Sequence, residues 1–431
     1  MRGKISLYKG IHIFIAIFFF GIKLVPQFQY AFAGTFWSLM YQGIFGIWLV
    51  ISILRSGFWF RYLKKYIRYW FLWLLYLTFV FMIFPNTQIG FFSLNLTFWE
   101  PMFLYYYYTE ILDYGRKESA IIAFVCVAFL LLGLIQSIQS INVNELAARE
   151  ASSGHSSDDA MLTGNYSFTA TLTILLPVCY SMLISNLQNK WKFTAFTIIG
   201  LTFYFVIHCN LMISILCLFF TLPVFFIMDN NSKFSIKRIL IVCFFSVILL
   251  LLLPFLKQGV IYLLQLFAKV INSKEIDNKV IQLISLLNGM AIGNVESRFG
   301  LVDIALNTFI NHPIIGIGPQ NNANIYFKTY LGMHSTFFDD LARYGVLGMG
   351  VMLGAYISFY RDKIKMYSGT CCIRALKTSL ISYVVISMLN PTISANVGIT
   401  LFFVIPSLLN EILEIQLEKA EVERYEKNST H

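Results

Sequence analysis

Charge is what this sequence has least of. Of its 431 residues only 13% are Asp, Glu, Lys or Arg, against about 25% in a soluble domain. A chain so poor in charge cannot keep all of its surface in water. Cysteine is sparse too, with seven in all. They fall in or beside apolar runs, so neither an extracytoplasmic disulfide framework nor a zinc spacing can be read. Cys371–Cys372 is a vicinal pair without a partner motif. No Walker A sequence is present, which speaks against an ATP-driven pump. No Asp-x-Asp pair offers to hold a metal-bound nucleotide, and no Ser/His/Asp or Cys/His arrangement stands out for nucleophilic catalysis. The residues call for no cofactor and no metal.

What the chain does have is apolar surface. The hydrophobic share is 58%, with 42 Phe and 24 Tyr, and the mean hydropathy is +0.69. Apolar runs of about 17–25 residues are long enough to cross a bilayer as helices. Twelve such runs can be traced, near 11–25, 36–54, 66–85, 89–108, 119–139, 165–186, 193–208, 210–228, 239–256, 337–360, 375–391 and 397–415. The expectation is an all-α, polytopic transmembrane helix bundle of about twelve spans, forming a single membrane domain over residues 1–431. Met1-Arg2-Gly3-Lys4 ahead of Ile11–Val25 has the look of a signal peptide, and Ala31-Phe32-Ala33 offers a cleavage pattern. Lys23 interrupts that run and more spans follow, so an uncleaved first span is the better reading.

The net charge of +10 would suggest nucleic acid in a soluble protein. In a membrane protein it suggests cytoplasmic loops obeying the positive-inside rule, with no nucleic-acid partner. With both termini placed inside, 23 of the 32 Lys and Arg fall in cytoplasmic segments, and the short outer loops hold only Arg149. Shifting the count by one span would put basic clusters outside. Two extracytoplasmic regions result, a smaller one at 140–164 and a large one at 257–336. In the large loop Val260, Leu263, Leu264, Phe267, Val270 and Ile271 share one helical face, and Ile276, Val280, Leu283, Ile284 and Leu287 repeat the pattern. These read as short amphipathic helices lying at the membrane interface. Glu411–Arg424 reads as a charged helical tail.

The most informative segment runs from Glu296 to Gly348. It contains Arg298, then His312-Pro313-Ile314-Ile315-Gly316-Ile317-Gly318, then His334-Ser335, then Gly345-Val346-Leu347-Gly348 inside a span. Singly these are weak. Gly316-x-Gly318 is too short to mean a dinucleotide site, and the Gly/Pro run reads as a turn. His312, next to Pro313, reads as structural. Together, they resemble the O-antigen ligase and polymerase family of bacterial envelope assembly. Thr163-Gly164-Asn165, ahead of a span containing Leu175-Leu176-Pro177, also looks like that family's entry to a middle helix. Two departures stand out. Cys209-Asn210 occupies a place where relatives often carry Ser-Arg, and Arg343 stands where a Glu is common.

The resemblance implies metal-independent glycosyl transfer at the outer face of the bacterial cytoplasmic membrane, from a sugar donor linked through pyrophosphate to a polyprenyl lipid. The partners implied are that lipid-linked oligosaccharide, membrane lipid, a flippase and a chain-length regulator. Within the family, the pattern looks most like a Wzy-type polysaccharide polymerase of capsule, exopolysaccharide or O-antigen. An O-antigen ligase is the nearest alternative, and a secondary transporter or lipid-oligosaccharide flippase is the alternative from another class. Lys23 and Glu100-Pro101 are the only mid-span hints of a transporter. The residue chemistry suits group transfer on its own terms. A departing pyrophosphate needs fixed positive charge, and Arg presents a planar, permanently charged fork. Arg298 and Arg149 are the candidates, and Arg343 is a further one. His334, just before a span, can take a proton from a sugar hydroxyl. Asp339 and Asp340 lie about a turn further on, where either can pair with Arg343. Gly316 and Gly318 shape the turn beside them.

Overall fold

The computed structural model describes residues 2–32, 34–57, 66–84, 89–112, 115–153, 162–185, 187–209, 211–228, 230, 259, 261–269, 277–278, 280–281, 284, 294–318, 331 and 334–429. Among them there is no strand, and helices dominate. In chain order they are α1 (Arg2–Leu24), α2 (Pro26–Ala31), α3 (Thr35–Ser56), α4 (Ile67–Ile83), α5 (Ile89–Tyr106), α6 (Gly115–Val143), α7 (Ala147–Ser153), α8 (Tyr166–Ile184), α9 (Asn189–His208), α10 (Met212–Ile227), α11 (Asn294–Asn311), α12 (Thr336–Met366), α13 (Cys371–Leu389), α14 (Ala395–Ile399) and α15 (Ile405–Ser429). A π turn, Tyr107–Ile111, ends α5, and another, Thr400–Val404, joins α14 to α15.

Seven of these helical stretches are long and apolar enough to cross a membrane: α3, α6, α8, α9, α12, α13 and the α14–α15 unit up to Lys419. Two shorter apolar helices, α4 and α10, stand beside them. The apolar runs read from the sequence coincide with helices except for 239–256, which lies outside the described residues. So do most of the amphipathic repeats of the large loop, although residues 261–269 are helical. The charged tail belongs to α15.

Packing sorts the helices by depth. Among the seven, α8 is the most buried and α3 the least, so α8 is the hub and α3 lies on the rim. Around α8 pack α9, α10 and α13. In hydrocarbon there is no hydrophobic drive between helices, so hydroxyl bonds and close packing hold them. Thr169 bonds Ser214 at 2.8 Å, Thr221 bonds Ser382 at 3.1 Å, and Ser379 donates to the Ile174 carbonyl at 2.8 Å. On the rim Phe14, Phe36, Leu39, Leu75, Met82 and Phe193 are exposed, as lipid-facing side chains must be. α1 packs against α3 and α6 through a buried face of Ala16, Phe19 and Phe20.

Local chemistry sets the helix starts. The Asn165 side chain accepts from the Ser167 and Phe168 amides and caps α8, so Thr163-Gly164-Asn165 is a helix entry as expected. Thr370 caps α13 through the Cys372 amide, and Ser335 caps α12 through that of Phe338. Cys209 ends α9 with its thiol on the Val206 carbonyl at 3.2 Å; Asn210 lies outside the described residues. Glu100-Pro101 does not interrupt α5.

Candidate functional site

The site is built on a break in α12. Gly345 has φ 58° and ψ −167°, a backbone that only glycine adopts without strain. A helix interrupted there loses the three rungs that span it, between residues 342 and 346, 343 and 347, and 344 and 348. Buried backbone groups must find other partners. The His312–Gly318 turn supplies them for two rungs. The Ile317 and Gly318 amides donate to the Ala342 and Arg343 carbonyls at 3.1 and 2.9 Å. The Val346 and Leu347 amides donate to the Pro313 and Ile314 carbonyls at 2.8 and 3.2 Å. The third carbonyl, of Tyr344, accepts from the Tyr76 hydroxyl of α4 at 2.6 Å. The two glycine motifs of the sequence are therefore halves of one clasp.

Glycine is required on both sides of it. Gly316 and Gly318 have φ 75° and 80°. A Cβ on Gly316 would collide with the Arg343 backbone, and one on Gly345 with the Ile314 carbonyl. His312 is half-buried; it ends α11 with its amide on the Thr308 carbonyl at 3.0 Å and accepts from the Gly316 amide at 3.1 Å. Its backbone role agrees with a structural reading. A small core of Ala305, Ile317, Leu331 and Ala342 seals α11, the turn and α12 together.

The first turns of α12 carry the charge. Arg343 is buried and paired with buried Asp340 at 3.2 Å, the i, i+3 partnership expected from spacing. Asp339 does a different job: its carboxylate accepts from the Ser335 amide at 3.3 Å and closes the helix start. His334 is the residue just before that cap, and it is exposed. The start is pinned from a second helix. Ser335 Oγ donates to the Ser387 carbonyl, the Thr336 amide reaches the Asn390 carbonyl, and the Thr392 amide donates to Thr336 Oγ1 at 2.6 Å. Spacing in the sequence carried no sign of Tyr76, Asn390 or Thr392 as supports, because each comes from a distant helix or loop.

Arg298 lies near the start of α11, and α11 packs against α12. The Arg298 side chain is outside the described residues. Arg149 is half-buried on the seven-residue α7, beside the end of α6. The structure thus brings Gly316 and Gly318 against Arg343 and Asp340, with Asp339 at the same helix start and exposed His334 just before it. It does not bring Arg149 into that group through any contact described. Among the described residues no group of three His, Cys, Asp or Glu converges as a metal site would.

An apolar groove of about 550 Å³ opens between α12 and α13. Thr336 and Asp340 lie at one end and Arg361 and Lys365 at the other, with Met352, Tyr356 and Val384 between them. Leu353, Ile357 and Val384 on its edges are 49%, 64% and 45% exposed, so it opens on the apolar flank of the bundle.

These features define a multi-pass membrane protein with a charged site at the head of a lateral groove. Residues 210–353 match the family model described as O-antigen ligase. The match covers about a third of the chain, and the matched segment contains α11, the clasp, His334 and Arg343. No curated protein matches the chain.

Proposed function

We propose that this protein is a membrane glycosyltransferase that joins polyprenyl-pyrophosphate-linked oligosaccharide units into a capsule, exopolysaccharide or O-antigen chain. The observation that carries the reading is the junction of charge and apolar groove at Asp340. A substrate with a long hydrocarbon tail and a charged head needs a laterally open apolar channel ending at polar groups. The groove between α12 and α13 has that form, with Asp340 lining its head, and Asp340 is paired with Arg343 behind it.

In this reading the acceptor hydroxyl attacks the anomeric carbon of the donor sugar. The bond from that carbon to the pyrophosphate oxygen breaks, its electron pair leaves with the pyrophosphate, and the hydroxyl proton passes to His334. Arg298 and Arg343, with Arg149 as a further candidate, stabilise the charge that grows on the leaving group. Asp339 and Asp340 orient the helix start and Arg343. No metal is assigned a part. The positive-inside bias puts this end of the bundle and the 140–164 and 257–336 regions outside the bacterial cytoplasmic membrane, with both termini in the cytoplasm. A flippase would deliver the donor, and a chain-length regulator would act on the product.

The family model's own description favours a second reading, an O-antigen ligase that transfers finished glycan to lipid A core. The glycans of a strain lacking the protein separate the two. Polymer lost while single lipid-linked units survive supports polymerisation. Polymer accumulating on its lipid carrier means ligation. Units trapped on the inner leaflet would refute both and point to a flippase.

A further inference from the structure

The third broken rung of α12 is filled by a side chain from another helix. Tyr76 sits on α4, 268 residues before Tyr344 in sequence. Its hydroxyl donates to the Tyr344 carbonyl at 2.6 Å and reaches the Ile315 carbonyl of the turn at 3.2 Å. The hydroxyl therefore takes the Tyr344 carbonyl that an unbroken helix would have paired with the Gly348 amide. Insertion of a side chain into the ladder is one of the few ways a helix can hold a sharp kink.

The ring is placed as firmly as the hydroxyl. Its plane lies 20° from that of Trp73, with ring centres 5.8 Å apart, and it meets Tyr344 edge-on. Gly348 permits the approach, since a Cβ there would stand 2.6 Å from the Tyr76 ring. Three elements thus converge on one oxygen: α4, the His312–Gly318 turn and α12. The outer half, Thr336–Tyr344, carries Asp339, Asp340 and Arg343.

We infer that Tyr76 is a positioning residue, the latch that fixes the angle of the Thr336–Tyr344 half-helix and so aims Arg343 at the head of the groove. The inference rests on the glycosyl-transfer reading of that site. It touches neither substrate nor reacting atoms, and acts through the backbone of Tyr344 and the turn. Misplacement by about 1 Å can cost as much as 10² in rate while leaving binding nearly intact, and this is the signature that separates aiming from holding.

The test uses full-length purified protein and, as probe, the lipid-linked glycan that accumulates in a strain lacking it. Tyr76→Phe keeps the ring and removes the latch. Turnover per folded molecule should fall about tenfold or more, with the donor concentration for half-maximal rate within about threefold of wild type. Arg343→Lys should also slow turnover, and the double variant should be no slower than the worse single one, because both act through the same guanidinium. Should Tyr76→Phe not be recovered folded, Gly348→Ala carries the test by pushing the ring away from the opposite side. Normal turnover in Tyr76→Phe, or losses that multiply with Arg343→Lys, overturn the latch while leaving the site intact. Normal turnover in Arg343→Ala instead overturns the site reading, and the latch with it.

Discussion

His334 and Arg298 make separable demands on the chemistry. If Arg298 holds the departing pyrophosphate, Arg298→Lys retains a point charge and loses the bidentate fork. Loss of one preorganised donor in a site of this type costs about 2.7–4 kcal/mol, or about 10²–10³ in rate. Arg298→Ala should be at least as slow, with the protein still abundant in the membrane. His334→Ala should slow polymer formation while sparing donor binding, because its work is on the acceptor proton. Purified variants elongating lipid-linked units, with donor binding scored apart, check both. A normal rate in His334→Ala would remove the general base from the scheme.

A second residue-scale prediction concerns stability. Arg55 on α3 makes two bonds to Glu118 on α6 at 2.6 and 2.5 Å, and Lys9 on α1 approaches the same carboxylate at 3.3 Å. Both the Arg55 and Glu118 side chains are largely buried, at 12% and 2% exposure. Removing one partner of a buried pair costs about 3–5 kcal/mol, because the other charge is left uncompensated. Glu118→Ala should lower the melting temperature in detergent markedly, and Arg55→Ala by less, because Lys9 still faces the Glu118 carboxylate. The double replacement by apolar residues should recover most of it. A Glu118→Ala protein as stable as wild type would show that the tie carries no weight.

At the scale of elements, the clasp is the feature to challenge. Gly316→Ala forces a Cβ into the Arg343 backbone at a positive φ, and such strain costs about 1–3 kcal/mol. The expected outcome is lower thermal stability together with lost turnover, since the turn and the kinked helix separate as a unit. Gly350→Ala on the same helix meets no atom within 4 Å and should be close to neutral, giving the control. Equal behaviour of the two variants in a thermal melt would argue that the turn does not hold the kink. The two glycine motifs were legible in the sequence as a turn and as a step inside a span. Their pairing was not, because hydrogen bonds between residues 313–318 and 342–347 depend on where α11 delivers the turn. The partnership of Asp340 with Arg343 was legible, being a spacing of three on a helix. That Asp339 caps the helix instead was not, since both carboxylates share that neighbourhood.

At the scale of the whole molecule, the testable quantity is orientation. In a background without the native cysteines, His155→Cys and Gln320→Cys should react with an impermeant thiol reagent added from outside, and Lys64→Cys should not. Labelling at position 64 alone would invert the topology and move the site to the cytoplasmic side.

The helical bundle was readable from one dimension because its cause is one-dimensional. A span needs about 20 apolar residues in a row, since the bilayer fixes the length and backbone groups in hydrocarbon must pair within their own helix. The sequence by itself therefore determined the helical class, the runs that became α3, α6, α8 and α9, and the motifs bordering the site. Tertiary structure decided the rest. The Tyr76 hydroxyl meets the Tyr344 carbonyl across 268 residues, and the groove exists only where α12 and α13 part. Such features follow from which helices become neighbours, and helix packing in lipid is settled by small shape and hydroxyl matches that leave no period in the sequence.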